Sequence, residues 1–148
     1  MLNEYMELTG SVHVRLFDEN GNLKQEHIDH NLIVTVGKTY IAAWLAAASQ
    51  AGEFMSWIGL GTGTSGPAAG DTDLGTPLAT RVQGVLTSST NTWQNQATFN
   101  PGVDTGAVTE AGLFSATSSG TMFAHQVFAV YNKAAGDTMI VTWTVTFS

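Results

Sequence analysis

Three glycines have the spacing of a phosphate-binding loop. Gly61, Gly63 and Gly66 follow the pattern G-x-G-x-x-G. In a dinucleotide-binding protein this loop opens a helix, and the N-terminus of that helix holds the pyrophosphate. Here Pro67 begins a run of loop-forming and acidic residues (67–73) instead, so the pattern does not favour nucleotide binding. We interpret the segment as a short strand (57–60) that runs into a flexible polar loop.

A second phosphate motif fails on spacing. Gly37, Lys38 and Thr39 match the end of a P-loop, which requires a glycine five positions before Gly37. That position is Leu32, so we interpret Gly37 as a strand break and predict no nucleotide cofactor.

The four histidines do not predict a metal site. His27 and His30 lie three apart on a predicted strand and therefore point to opposite faces, whereas His13 and His27 can approach each other across a hairpin. Two histidines without a carboxylate positioned to complete a ligand set make a weak metal site, and nothing in the sequence brings His125 to the others. The chain has no cysteine, which removes cysteine-ligated zinc and disulfides.

Four carboxylates are the candidates for acid–base chemistry: Glu110, Asp104, and Asp71 or Asp73. Glycoside hydrolysis needs two such groups across a cleft. Glu110 lies among apolar residues, where burial would raise its pKa. The favoured alternative places Glu110 on an outer face or has it cap backbone amides of a neighbouring loop. No nucleophile-elbow signature is present, and we predict no enzymatic activity.

The tryptophans offer one candidate contact residue. Trp44 lies on a helical apolar stripe and Trp143 alternates with other apolar residues, so both are predicted in the core. Trp93 follows a polar turn and is the candidate exposed aromatic, although core packing is equally consistent with its position.

Composition excludes several partners. Only 11% of the 148 residues are charged, and the net charge is −7 with 5 basic residues. Nucleic acid and anionic membranes are therefore disfavoured as partners. The longest apolar run (40–48) is too short to span a bilayer, and the acidic start is not that of a signal peptide. We expect assembly in the cytoplasm.

The first strands form a hairpin. Residues 11–17 alternate, a turn containing Asn20 and Gly21 follows, and a second strand runs over 23–35. A two-residue loop places Arg15 opposite Glu26 and Val14 opposite His27, whereas a three-residue loop places Val14 opposite Ile28. The sequence leaves both registers open.

The rest of the chain predicts one helix and six strands. The helix covers about 38–49, with a stripe of Ile41, Trp44, Leu45 and Ala48. The strand candidates are 57–60, 81–87, 92–99, 108–116, 121–131 and 138–147. This pattern indicates a mainly β, jelly-roll-like antiparallel β-sandwich with one α-helix. We expect an N-terminal arm (1–9) and a single domain (10–148), with the arm and the loop at 63–77 as mobile or partner-ordered parts.

The order of these pieces resembles that of structural proteins of tailed-bacteriophage virions. The resemblance covers nearly the whole chain. Its segments are the hairpin at 10–35 closing on Asn-Leu-Ile-Val-Thr-Val-Gly (31–37), the helix at 38–48, Ile-Gly-Leu-Gly-Thr-Gly (58–63) with the loop to Leu74, Thr-Glu-Ala-Gly-Leu-Phe (109–114), and Gly-Asp-Thr (136–138) with the strand at 140–147.

The resemblance implies a self-assembling β-sandwich without catalysis. The chain's size favours a small head-decoration (cement) protein on the capsid exterior, which binds the major capsid protein, bridges capsomers and forms a homotrimer. The candidate contacts are in the arm, in the glycine loop and at Trp93: Met1, Leu2, Tyr5, Met6, Gly61, Thr62, Gly63, Pro67 and Trp93. The alternatives are a tail, baseplate or fibre-adaptor protein, and a carbohydrate-binding module that uses Trp93.

Overall fold

A hairpin opens the fold. The computed structural model describes residues 5–46 and 54–148. Strands β1 (Leu8–Phe17) and β2 (Leu23–Ile33) pair antiparallel, with Arg15 opposite Glu26 and Val14 opposite His27. The first of the two registers left open by the sequence is therefore the one that forms, with an irregularity next to the turn. Because β1 begins at Leu8, the last two residues of the predicted arm belong to the sheet.

The single helix in the described part of the chain, α1 (Thr35–Ala46), begins three residues earlier than predicted. Strand β2 ends at Ile33, and the carbonyl of Val34 accepts a hydrogen bond from the amide of Lys38, which starts the helix. Gly37 is therefore not a strand break. It lies in the first helical turn, where a Cβ atom would come within 2.5 Å of the Phe123 carbonyl oxygen.

The predicted apolar stripe of α1 is only partly buried. Ile41 and Trp44 are half-buried, whereas Leu45 is exposed, and Ala48 lies outside the described residues. No helix among the described residues is long and apolar enough to cross a membrane.

Seven further strands complete the sheet. The predicted strand at 81–87 is in fact two strands, separated at Gly84, whose amide donates to the carbonyl of Ser56. Two of the seven, at 92–99 and 138–147, match their predicted bounds. The strands are β3 (Trp57–Gly61), β4 (Pro77–Gln83), β5 (Val85–Ser89), β6 (Thr92–Phe99), β7 (Gly106–Phe114), β8 (Met122–Lys133) and β9 (Thr138–Phe147).

The strands form one antiparallel, nearly closed sheet in the order β4-β3-β7-β8-β2-β1-β9-β6-β5. Strand β2 joins the two halves: it pairs with β1 along most of its length and with β8 only at Leu32 and Ile33. The expectation of a mainly β, sandwich-like fold with one short helix is confirmed.

The core lies between the two halves of the sheet. Strand β9 shows why the sequence folds this way: its odd-numbered residues from Met139 to Val145 are buried, and the threonines between them face outward. Trp143 is fully buried, as predicted. The other large, fully buried apolar side chains are Tyr131, Phe99, Phe114, Phe123, Leu16, Ile58, Leu60, Leu113, Met122 and Met139.

Candidate functional site

Glu110 is buried and accepts four hydrogen bonds. It lies on β7, and its side chain is 1% exposed. Its Oε1 atom accepts from the amides of Gly63 (2.9 Å) and Thr76 (2.8 Å). Its Oε2 atom accepts from the amide of Gly75 (3.0 Å) and pairs with Nε2 of His125 (2.9 Å). Two bonds to each oxygen fill the usual capacity of a carboxylate.

His125 links Glu110 to a second carboxylate. It lies on β8, opposite Gly112 of β7, and its side chain is 4% exposed. The Nδ1 atom lies 2.8 Å from Oδ2 of Asp71, an oxygen that also accepts from the amide of Ala68. Both ring nitrogens therefore face carboxylate oxygens.

At both carboxylates, hydrogen bonds lower the pKa by more than burial raises it. Burial alone raises the pKa of Glu110, but the bonds from Thr76, Gly75, His125 and Gly63 lower that pKa below its ordinary value. The pKa of Asp71 is lowered too, chiefly by the amide of Ala68 and then by His125. The sequence-based expectation of a raised Glu110 pKa is wrong, because the backbone amides around this side chain come from a loop far away in sequence.

This network fixes the loop between β3 and β4, residues 62–76, which we call the glycine loop. The amide of Thr62 donates to the carbonyl of Thr76, closing the base of the loop. Its middle is tied to α1 by the bond from the Thr35 amide to the carbonyl of Ala69. At its far side, Asp73 pairs with Arg81, whose guanidinium stacks 3.5 Å from the Phe114 ring centre. The loop predicted as a flexible connection therefore makes hydrogen bonds and an ion pair to the rest of the chain at its base, its middle and its far side.

Two glycines of the G-x-G-x-x-G pattern allow the loop to approach Glu110. A Cβ atom on Gly63 would lie 2.5 Å from Glu110 Oε1, and one on Gly61 would overlap the same oxygen. A Cβ atom on Gly66 would meet nothing within 4 Å. Gly61 and Gly63, two of the predicted partner contacts, are buried in the chain. Their close neighbour is a carboxylate of the same chain.

The glycine loop exposes small uncharged residues. Thr64, Ser65 and Gly66 are exposed, whereas Thr62 and Pro67 are half-buried. A loop with a fixed backbone and an exposed turn is suited to contact a partner at low entropic cost.

A second region, the apolar cavity, lies at the other end of α1. It has a volume of about 670 Å³ and is bounded by the C-terminal half of α1, the segment before β1, and strands β5 and β6. Aromatic and aliphatic side chains dominate its walls: Met6, Tyr40, Ile41, Trp44, Leu45, Phe54, Met55, Leu86, Trp93, Phe123 and Phe147, with Thr87 and Ser88. None of these residues carries a formal charge.

The cavity gathers three of the predicted contact and core residues. Trp93 is half-buried in its wall and packs edge-on against Phe123, with ring centres 5.7 Å apart. Its ring is therefore part of an apolar wall and not a flat exposed platform. Trp44 lines the same cavity. Met6 lines it as well, and the neighbouring Tyr5 is exposed; Met1 and Leu2 lie outside the described residues.

The other candidate carboxylates have separate partners within the chain. Asp104 accepts a hydrogen bond from the amide of Thr80, and burial raises its pKa. Asp73 forms an ion pair with Arg81. Glu110 and Asp71 pair with the two different ring nitrogens of one histidine, His125. Both carboxylate oxygens of Glu110 and both ring nitrogens of His125 have partners within the chain.

The remaining histidines are dispersed. His13 pairs with Glu26 at 3.0 Å and His27 with Asp29 at 3.2 Å. In the hairpin His13 lies opposite Ile28 and His27 opposite Val14, so the two histidines are on opposite faces. Within residues 5–46 and 54–148, no group of three or more potential ligand side chains is placed to hold a metal ion.

Sequence reasoning identified Glu110 but not its histidine. The alternative that Glu110 caps amides of a neighbouring loop is confirmed. The pairing of His125 with Asp71 has no signal in the sequence, because the two residues are 54 positions apart. Two segments of the resemblance, 58–63 and 109–114, meet at Glu110.

The chain matches no protein-family model, no curated protein and no solved structure.

Proposed function

We propose that this chain is a structural protein of a tailed-bacteriophage virion that binds the outer capsid surface and bridges neighbouring capsomers. The proposal rests first on the resemblance of nearly the whole sequence to such proteins. The observation that supports it in the molecule is the glycine loop, whose backbone is held by a buried carboxylate and whose exposed turn at 64–66 consists of small uncharged residues.

The properties of the loop fit a lattice contact. A decoration protein binds an assembled shell and stabilises that shell by mass action, because it does not bind free subunits equally well. A loop that is already ordered loses little conformational entropy on docking. Thr64 and Ser65 offer hydroxyl groups, and Gly66 allows close backbone approach, since nothing lies within 4 Å of its Cβ position.

The charge distribution agrees with this proposal. The chain carries a net charge of −7, yet Asp71 and Asp73 of the glycine loop are both paired within the chain, with His125 and Arg81. The exposed turn of the loop at 64–66 is uncharged. Contact there does not bring unpaired carboxylates against a capsid surface.

Binding to capsids that lack the protein tests the proposal. We expect saturable binding of the purified chain to such capsids and a rise in the temperature at which they open. The variant Thr64→Tyr places bulk on the exposed turn and should weaken binding at least about tenfold, the equivalent of about 1.4 kcal/mol. The matched control Thr105→Tyr alters an exposed threonine in the β6–β7 loop and should bind as the parent does. Absence of saturable binding by the parent chain would contradict the proposal.

A further inference from the structure

Strand β5 is an unprotected edge of the sheet. It pairs only with β6 and ends the strand order. All five of its residues, Val85 to Ser89, are exposed, and none is charged or a proline. Among the described residues, no other backbone segment is hydrogen-bonded to its outer side. Such an edge is a template for another strand.

The opposite edge of the sheet, strand β4, is protected against pairing with another strand. Strand β4 begins with Pro77, which has no amide to donate, and carries Arg81. Proline and charge are the usual devices that block edge-to-edge pairing. The fold therefore blocks one edge and leaves the other open.

The open edge lies beside exposed apolar area. Leu86 lies on β5 and in the wall of the apolar cavity. Five side chains around this edge are exposed to a degree unusual for their type: Met6 64%, Leu45 68%, Phe54 60%, Val85 71% and Leu86 40%. At about 150–200 Å² for each whole side chain, they expose on the order of 500 Å². That is more than half of the roughly 800 Å² that each partner contributes to a standard interface.

We propose that a second copy of this chain pairs with β5, antiparallel and about a two-fold axis at Thr87. Full overlap of two five-residue strands places Thr87 opposite Thr87, Val85 opposite Ser89, and Leu86 opposite Ser88. No charge lies in either strand, so the pairing avoids the repulsion expected between chains of net charge −7. The two apolar cavities then lie side by side, and the exposed side chains around each edge become buried.

This pairing goes beyond the proposed capsid function and does not depend on it. It uses β5 and the apolar cavity, whereas the capsid proposal uses the glycine loop. The purified chain in solution therefore tests it without capsids. A two-fold dimer also differs from the homotrimer that the resemblance implies, so the two are distinguishable by mass.

The absence of cysteine allows a direct test of the register. In Thr87→Cys the two new thiols face each other across the axis, at a Cα separation of about 5 Å that permits a disulfide. In Val85→Cys the two thiols are four residues apart along the pair, about 13 Å, which is too far. We expect a cross-linked dimer from Thr87→Cys under mild oxidation and none from Val85→Cys or from Ala79→Cys on β4.

Light scattering during size exclusion tests the association itself. We expect the parent chain to run as a concentration-dependent dimer, and the double variant Val85→Lys/Thr87→Lys to run as a monomer with an unchanged circular dichroism spectrum. Ala79→Lys places one such charge on the exposed β4 edge and should remain dimeric. A parent chain that is monomeric at every concentration, or trimeric, would overturn the proposal, as would cross-linking of Val85→Cys in preference to Thr87→Cys.

Discussion

The two ends of α1 organise their surroundings in opposite ways. At its first residue, the helix amide of Thr35 bonds to the glycine loop, where every polar group of Glu110 and His125 is satisfied within the chain. At its C-terminal half, Tyr40, Trp44 and Leu45 border an apolar cavity next to a strand with an open edge. One end is therefore complete in a single chain, and the other has apolar groups and backbone groups that a partner can satisfy.

The surfaces at the two ends of α1 are stabilised in different ways. The glycine loop is fixed by a buried charge network, so its stability depends strongly on a few side chains. The surface around β5 depends on apolar area that is already exposed, so single changes there should alter association more than folding. Variants at the two ends should therefore affect different measurements.

The largest effect is expected from Glu110→Gln. The amide NH₂ group of glutamine faces loop amides that need an acceptor, and His125 loses a partner. We expect the free energy of unfolding to fall by about 3–5 kcal/mol, measured by denaturant titration. The matched control is Glu26→Gln, because Glu26 also pairs with a histidine but is half-exposed. That change should cost less than about 1 kcal/mol. Equal losses in the two variants would refute the assigned role of Glu110.

The next largest effect is a difference in unfolding free energy between alanine substitutions at two glycines of the same motif. In Gly63→Ala the new methyl group meets the Glu110 carboxylate at 2.5 Å, so we expect a loss of about 1–3 kcal/mol of unfolding free energy. Gly66→Ala meets open space and should change stability by less than about 0.5 kcal/mol, or raise it slightly by restricting the unfolded chain. Thermal unfolding of both variants measures the difference, and the reverse order would contradict the packing described for the loop.

Acid should weaken the hydrogen-bond network around Glu110 and so lower the free energy of unfolding. Because the folded-state pKa of Glu110 is lowered, its contribution to stability is complete above the ordinary glutamate pKa of about 4.3 and is lost as pH falls through the folded value. We expect the parent chain to lose stability below that pH more steeply than Glu110→Gln, by up to about 1.4 kcal/mol per pH unit. Parallel curves for the two proteins, recorded by denaturant titration from pH 6 to pH 3, would show that Glu110 is not stabilised as a carboxylate.

The smallest effect on folding is expected at the other end of α1. Leu45→Gln removes an exposed apolar side chain and keeps helix propensity similar, so the unfolding free energy should change by less than about 0.5 kcal/mol. The variant should, however, bind less of a dye that fluoresces on apolar surfaces. A large loss of stability would mean that this part of α1 belongs to the core and not to a free surface.

Much of the fold could be predicted from local pattern. Strand β9 alternates so regularly that its bounds match, and the turn with Gly21 at a positive φ of 82° sets the first hairpin. The start of α1 could not be predicted in this way. Thr35 and Val36 have β-branched side chains typical of strands, and the helix begins there because Gly37 packs against the backbone of Phe123, which lies far away in sequence.

The candidate site, like the fold, was predictable only in part from local sequence pattern. The residue pattern around Glu110 allowed amide capping as one alternative, but no local signal indicated which amides or which histidine. Those partners depend on the register of β7 with β8, which places Gly112 opposite His125, and on the return of the glycine loop over Glu110. Both are long-range consequences of strand order.

Amide hydrogen exchange is the most direct test of the central claim that Glu110 holds the glycine loop. The amides of Gly63, Gly75 and Thr76 belong to a loop between strands, where fast exchange is the ordinary expectation. Because all three donate to Glu110, we expect them to exchange as slowly as amides of the core strands in the parent chain, and to become fast in Glu110→Gln while β9 stays protected. Fast exchange of these three amides in the parent chain would contradict the account.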